Sequence, residues 1–272
     1  MENKFGKVSR ITVRAACRDG KTILEDLSFT APYKVMKPFY RENEVMQVMP
    51  LCASAGIMRG DVQEFSYHVC EGAKLEMLSQ SFEKIHRMEG GSASRKVTAK
   101  VEKNAVLYYY PQPVIPFADS AFDSRMEITL EDTSSLLFLM EIISCGRVAH
   151  DERFAYRRFS SRVEIRREDR LIYRDNTRYE PEKMPMEGIG MYEGYTHMAN
   201  IFMALPKGTD SISMQDEVVD LLEKEGCDGG VTRLSGGDLA VRIFGLRAQK
   251  LQDAAEKIKK IYEENVYSSN SN

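Results

Sequence analysis

The strongest constraint on this chain's fold is a loose repeat near its middle. Val69-Cys70-Glu71-Gly72-Ala73-Lys74-Leu75 leads into Glu76-Met77-Leu78-Ser79-Gln80. Val101-Glu102-Lys103-Asn104-Ala105-Val106-Leu107 leads into Tyr108-Tyr109-Tyr110, and Leu130-Glu131-Asp132-Thr133-Ser134-Ser135-Leu136 into Leu137-Phe138-Leu139-Met140-Glu141. Each copy places an apolar residue and a Glu before a small or polar turn, then resumes as an apolar run. The copies begin at residues 69, 101 and 130. A period of a few tens of residues built on strand-like runs marks a stacked β architecture. Identity between the copies is low, and periodicity alone leaves a β-sandwich open.

The flanking sequence has the same character. Residues 7–14, 65–69 and 93–101 alternate apolar and polar positions with the period of two that a half-buried strand requires, and residues 21–30 can return as a strand after the Asp19-Gly20 turn. Residues 45–52, 125–130 and 136–143 read as further strands. The run Tyr108-Tyr109-Tyr110-Pro111-Gln112-Pro113-Val114-Ile115-Pro116-Phe117 is rich in proline, which cannot donate to a ladder. It is expected at a sheet edge or in an extended loop. After Pro181 the pattern changes. A strand over 198–205 precedes a short helix presenting Val218, Val219, Leu221 and Leu222, with Ser213 to Asp216 as its capping box and Gly226 as its stop. A hairpin turns at Ser235-Gly236-Gly237, and Leu251, Ala254, Ala255, Ile258, Ile261 and Tyr262 form the stripe of a final helix. The expected organisation is a β-stack region over residues 1–190 and an α+β region over 191–272 packed on it as one structural unit.

Composition excludes several classes of function. A net charge of −3 argues against a nucleic-acid binder. Residues 153–178 hold nine arginines and no lysine, a surface suited to carboxylates or protein partners, or simply a solvated sheet face. No apolar run is long enough to span a bilayer, and the first residues, Met1 to Phe5, lack a signal-peptide core. The five cysteines are scattered without CxxC spacing, which fits free thiols in a reducing cytoplasm and disfavours a zinc knuckle. Residues 53–61 form a glycine loop ending in Asp61 that could position a carboxylate. It lacks the GxxxxGK[ST] of a phosphate loop, and a strand follows it.

Four of these stretches resemble one family, the urease accessory proteins called UreD, or UreH in some organisms. Ala55-Gly56-Ile57-Met58-Arg59-Gly60-Asp61 is similar to the family's GG-I-x-GGD, with Ala55 and Arg59 in place of glycines. Ser79 to Arg87 resembles its TQ-x-x-TK-x-(Y/H) stretch, keeping Lys84 but carrying Glu83 at the usual Thr. Pro111 to Phe117 resembles P-x-P-x-IPF, and Gly146-Arg147 through Glu152-Arg153-Phe154 resembles GR-x-x-x-x-E-x-F. The resemblance covers about residues 5–245.

This resemblance implies a mainly β fold, a coiled β-helix-like stack of two or more sheets with two α-helices in the C-terminal part. It also implies a non-enzymatic maturation factor. Such a protein binds UreF, through it the GTPase UreG, and the urease apoprotein, and assists nickel delivery through an internal passage, with nickel bound only transiently and no tightly held cofactor. No nucleic acid or membrane partner is expected.

Nickel is served by imidazole, thiolate and carboxylate. The candidate ligands near the matched stretches are Asp61, Glu64, His86, Glu141, Cys145 and Glu152, with His68 and His150 beside them. None has the spacing of a tight site. Asp61 reads equally as a loop cap, Glu141 as an exposed edge residue, Cys145 as a small buried one, and His86 and His150 as surface residues. Gly56, Gly60, Lys84, Pro111, Gly146, Arg147 and Phe154 are expected to shape the fold or its interfaces. The competing reading is a stacked-β carbohydrate-active enzyme using paired carboxylates such as Glu141 and Glu152. Nothing in the sequence pairs them, and the chain has no tryptophan for a sugar platform.

Overall fold

The structure, a computed structural model, describes residues 8–41, 44–78 and 80–268. Met1 to Phe5, Ser79 and residues 269–272 lie outside the described residues. The chain opens with β1 (Ser9–Arg18), β2 (Lys21–Phe29), β3 (Tyr33–Val35), β4 (Phe39–Tyr40), β5 (Met46–Val48) and β6 (Pro50–Cys52). The coil follows in β7 (Val62–Val69), β8 (Lys74–Met77), β9 (Glu83–Ile85), β10 (Ala93–Val101), β11 (Val106–Tyr109), β12 (Val114–Pro116), β13 (Ala121–Leu130) and β14 (Leu136–Ser144). The last part holds β15 (Arg158–Arg167), β16 (Arg170–Tyr179), β17 (His197–Ala204), α1 (Ser211–Lys224), β18 (Asp228–Arg233), β19 (Leu239–Gly245) and α2 (Ala248–Ser268).

The repeat is a stack of parallel rungs. Val69, Val101 and Leu130 lie side by side on β7, β10 and β13, and Leu75 and Leu107 stack with Leu137 on β8, β11 and β14. The third copy is therefore one residue longer at its corner than the alignment of Leu75, Leu107 and Leu136 implied; Leu136 pairs with Val106. The corners explain their own sequences. Gly72 and Asn104 occupy equivalent positions, and both are left-handed, with φ of 72° and 55°, where glycine and asparagine are favoured. The longer third corner is tied by side chains. Asp132 Oδ1 accepts from the Ser134 amide at 2.7 Å, and the Ser135 hydroxyl donates to the Glu102 carbonyl of the rung before it at 2.9 Å.

Each rung has three sides. The first sheet runs β16-β15-β13-β10-β7-β1-β2, parallel in the middle and closed by the antiparallel edge strands β2 and β16. The second runs β18-β19-β17-β14-β11-β8-β5-β4. The third side is a narrow parallel ladder in which Ile57 bridges Ile85 of β9, β9 pairs β12, and β12 meets Ile143 of β14. The apolar inward faces of the first two sheets meet in one core containing Val13, Tyr67, Leu75, Val97, Leu107, Ile128 and Leu139. The outer face of the second sheet is covered by α1 and α2, where Tyr108, Phe138, Met214, Leu251 and Tyr262 are buried together.

Three local expectations are corrected. The tyrosine run does not lie at an edge: β11 sits between β8 and β14, and the ladder stops before the prolines begin. Residues 45–52 are two strands in different sheets, divided at Met49 before Pro50. The cap of α1 is Asp210 rather than Ser213; its carboxylate accepts from the Ile212 and Ser213 amides at 3.2 and 3.1 Å. The last helix buries the expected stripe apart from Ile261, which is only partly covered, and adds Val266. The strand β17 continues the second sheet from β14, so the C-terminal region shares a ladder with the coil.

If the stacked interior residues hold the coil together, Leu107→Ala is expected to destabilise the protein by about 2–5 kcal/mol. Leu107 is completely buried in the middle rung. Chemical denaturation followed by circular dichroism checks this.

Candidate functional site

The stretches that carry the family resemblance meet on the third side of the coil. Gly56, with φ of 145°, lies against the Lys84 carbonyl and the His86 ring; a Cβ there would sit 2.4 Å from that carbonyl. The His86 Nε2 lies 2.9 Å from the Ala55 carbonyl, and its ring packs edge-on against Phe117 with centroids 5.0 Å apart. Phe117 also receives the Arg147 guanidinium, 4.2 Å from its centroid. Arg147 grips Glu152 through two nitrogens, Nε at 2.7 Å, while Glu152 accepts from the Ala118 amide at 3.2 Å. Gly146 must lack a side chain because its Cβ would fall 2.4 Å from the Glu152 carbonyl. Phe154, left-handed at φ 50°, closes the series against Tyr192. These motif residues form a packed spine. Its carboxylate, Glu152, is held below the usual range chiefly by Arg147.

Other candidates are also engaged locally. Asp61 Oδ2 accepts from the Met58 amide at 2.8 Å, which closes the loop in which Gly60 is left-handed. Glu64 points outward and pairs with Arg10 at 2.8 Å. Cys145 is fully buried and burial pushes its thiol up, away from the thiolate a metal prefers. His150 is exposed on a single turn at Val148–His150.

The interior of the coil is open at one end. A cavity of about 1290 Å³ is bordered by the paired strands β3 and β6 and lined among others by Gly56, Asp61, Lys84 and Pro111 from the matched stretches, and by Gln63, Glu83 and Arg95. Beyond it lies a chamber of about 40 Å³ lined by Glu141, Ser161, Asp175, Thr177 and Asn200, large enough for a water or a single ion. Both spaces are bordered by Arg95, Tyr109, Pro111 and Gln112, so they adjoin at that neck.

Strand geometry puts charge there. On β14, Leu137 and Leu139 face the core between the sheets and Glu141 is next on that side, whereas Leu136, Phe138, Met140 and Ile142 face the helices. Glu141 thus lies on a central strand facing inward. Arg95 extends the inward row of Val97, Ala99 and Val101 on β10 and is 7% exposed. Its guanidinium donates to the Gln63 side-chain Oε1 at 2.9 and 2.6 Å and to Glu83, between the rings of Phe65 and Phe122 at 5.2 and 5.5 Å.

Burial works against the Arg95 charge, but the Glu83 carboxylate more than offsets it and keeps the guanidinium protonated. Glu141 has no such partner. Burial, reinforced by Asp175, pushes its carboxyl up to about 7, while Arg95 and Ser161 pull the other way. At the far side Asp175 accepts from Thr177 at 2.8 Å and from the half-exposed Arg242 at 3.1 Å, and Arg242 also binds Asn200 at 2.8 Å. Sequence reasoning missed Arg95, Asp175 and Asn200. The only available signal was the strand alternation that puts Arg95 in phase with Val97.

Among the described residues, one group has three side chains close enough to share an ion: His68, Cys70 and Glu102, whose ligand atoms lie within 4.8 Å of one another. It sits on the outer face of the first sheet. Arg14 can only donate, so His68 Nδ1 accepts from it at 2.5 Å and Nε2–H donates to Glu102 at 2.7 Å. Burial raises the Cys70 thiol. His68 and Glu102 are thus already engaged in a hydrogen-bonded network with Arg14.

Most of the arginines of 153–178 are engaged within the chain. Arg162 and Arg174 converge on Glu164, Arg178 on Glu180, and Arg167 makes a buried bidentate pair with Asp238. Glu141 and Glu152, the pair proposed for glycoside chemistry, lie in different settings, one in the chamber and the other bound to Arg147.

A three-sided β-coil with an apolar core, charged residues lining the cavities inside it and helices on one face is the scaffold of an accessory protein whose motif residues shape its frame. Residues 7–271 match the family described as UreD urease accessory protein, and the chain belongs to that family. It is 37% identical over 267 residues to the urease accessory protein UreD of Acetivibrio thermocellus, covering 96% of this chain and 99% of that protein. It is 35% identical over 260 residues to UreH of Helicobacter pylori, covering 95% and 96%. UreD of Actinobacillus pleuropneumoniae is 30% identical over 246 residues, covering 88% and 91%. Membership gives the chain a role in urease maturation as an accessory factor. Among the described residues, no helix is long and apolar enough to cross a membrane.

The raised Glu141 value has a stability consequence. A carboxyl that titrates at about 7 in the fold and at 4.5 when free binds its proton more tightly in the folded state. Its contribution is complete below the free value and is lost as pH rises through the folded one. Unfolding free energies of wild type and Glu141→Gln are expected to run parallel below about pH 4.5 and to diverge in the variant's favour toward about pH 8. Denaturant titrations across that range measure the gap.

Proposed function

We propose that this chain is a non-enzymatic scaffold in cytoplasmic urease maturation that binds UreF, through it the GTPase UreG, and apo-urease, and that nickel crosses its interior on the way to the urease active site. Family membership supports the role in maturation. The observation that carries the passage is the pair of adjoining cavities inside the coil, with Asp61 and Glu83 on the wider one and Glu141 and Asp175 on the narrower. A hard-to-borderline divalent ion moving through protein needs oxygen ligands held loosely and in succession. Here they are spread along the interior rather than gathered into one site.

Nickel is cargo in this reading, with no tightly bound cofactor. Glu141 is the key ligand because it is the carboxylate of the narrow chamber that, among the described residues, forms no ion pair, whereas Asp175 pairs with Arg242. Asp61 lines the entrance while closing its loop. Glu64, Cys145 and Glu152 are left off the path, the first facing outward, the second buried as a thiol, and the third tied to Arg147.

Co-expression with UreF, UreG and urease tests this. Glu141→Gln is expected to preserve co-purification with the partners while lowering urease activation by roughly tenfold, the usual scale for loss of a group that tunes a metal ligand set. Full activation by that variant, with complexes intact, would remove the passage from the mechanism and leave the scaffold.

A further inference from the structure

The neck between the two cavities is occupied by a cation that belongs to the protein. Arg95 borders both spaces, and its guanidinium bonds to Gln63 and Glu83 on the wide side. The rings of Phe65 and Phe122 flank it. Aromatic faces hold a cation without fixing its direction, unlike hydrogen bonds. On the narrow side it draws down the pKa of Glu141, the acceptor toward which it can turn. The remaining charged groups around the chamber are Asp175 and, from β19, Arg242, which sits over Asp175 from outside. The interior thus holds four carboxylates, Asp61, Glu83, Glu141 and Asp175; Arg95 faces both spaces, Arg10 and Lys84 line the wide one, and Arg242 covers Asp175 at the narrow one.

We propose that Arg95 is a tethered stand-in cation. It neutralises Glu83 while the passage is empty, and a divalent cation crosses the neck only by taking Glu83 as Arg95 turns toward Glu141. This deepens the passage reading above and rests on it. Three features follow from the arrangement. A divalent ion arriving at the neck meets a like charge at close range, so an idle passage excludes cations. Glu83, the carboxylate that meets Arg95 on the wide side, is already bonded, so entry there is an exchange of partners. As Arg95 turns it takes Glu141 in place of Glu83, so neither the guanidinium nor the arriving ion is left in the interior without a carboxylate, which limits the cost of a buried charge. The tether also limits retention, because Arg95 competes for the same carboxylates once the cation has gone through.

The test is equilibrium binding of nickel ion to the full-length protein. Arg95→Gln removes the competing charge and is expected to bind nickel at least about tenfold more tightly than wild type, given the strength of a like-charge interaction at this range in a protein interior. Arg95→Lys keeps the charge and is expected to stay near wild type. Arg95→Gln with Glu141→Gln is expected to lose the gain. Arg95→Gln binding no tighter than wild type, with its circular dichroism and melting unchanged, overturns the proposal. So does an equal rise in the Arg95→Lys variant, which would trace the effect to loosened packing. Urease activation by Glu141→Gln judges the passage separately. If activation is full while Arg95→Gln still gains nickel affinity, the stand-in role survives and the delivery route does not.

Discussion

The architecture depends on the in-register stacking of inward side chains from one rung to the next. Val69 on Val101 on Leu130, and Leu75 on Leu107 on Leu137, set the phase of every other residue on those strands. In a parallel ladder a slip of one residue turns each side chain to the opposite face. Here it would expel the core and turn Arg95 and Glu141 outward together. The corners guard against this. Gly72 and Asn104 make the same left-handed turn, and the extra residue of the third corner is absorbed by bonds from Asp132 and Ser135. The phase that packs the core is therefore the phase that places charge in the lumen.

Those charges are costly to bury and most are compensated. Arg95 has Glu83 and Gln63, Asp175 has Arg242 and Thr177, and the buried Arg167 has Asp238. Glu141 is the exception, and its raised pKa expresses that lack. A fold with no use for an interior carboxylate gains by replacing it with an apolar residue of similar size. The strand around it, Leu136 to Ser144, is otherwise almost wholly apolar and buried. Glu141 therefore stands out as an interior carboxylate that the packing of its own strand does not call for.

Much of this was legible in the sequence, and the rest was hidden for identifiable reasons. Strand alternation located β1, β10 and the second part of β7, the strands read over 21–30 and 125–130 fell on β2 and the second part of β13, and the repeat anticipated which rungs stack. The tyrosine run was misjudged because its prolines begin only after Tyr110; the ladder ends just ahead of them. The helix cap was sought at Ser213 because of a pattern, whereas Asp210 had the geometry. Of the site residues, Asp61 and Glu141 were found from local oddities, a carboxylate after glycines and a carboxylate within an apolar run. Arg95 and Asp175 lay on strands whose charge looks ordinary, and only the closing of the coil brings them to the same space. The convergence of Gly56, His86, Phe117, Arg147 and Glu152 was invisible for the same reason, since the four stretches are separated along the chain but adjacent on the third side.

The docking of α2 bears on how the chain can be made. Lys259 reaches buried Glu76 and Glu263 reaches Arg41, so the last helix is bolted to strands near the beginning. Tyr262 donates to the Ala204 carbonyl and packs among Tyr108 and Phe138. The rungs themselves are built from neighbours in sequence and can assemble as they leave the ribosome. The aromatic outer face of the second sheet cannot be covered until the final segment has emerged. For most of synthesis, then, a nearly complete coil displays Tyr108, Tyr110 and Phe138 to its surroundings. A truncated or slowly finished chain is left as a stable stack with one sticky wall, the kind of intermediate that cellular folding helpers hold.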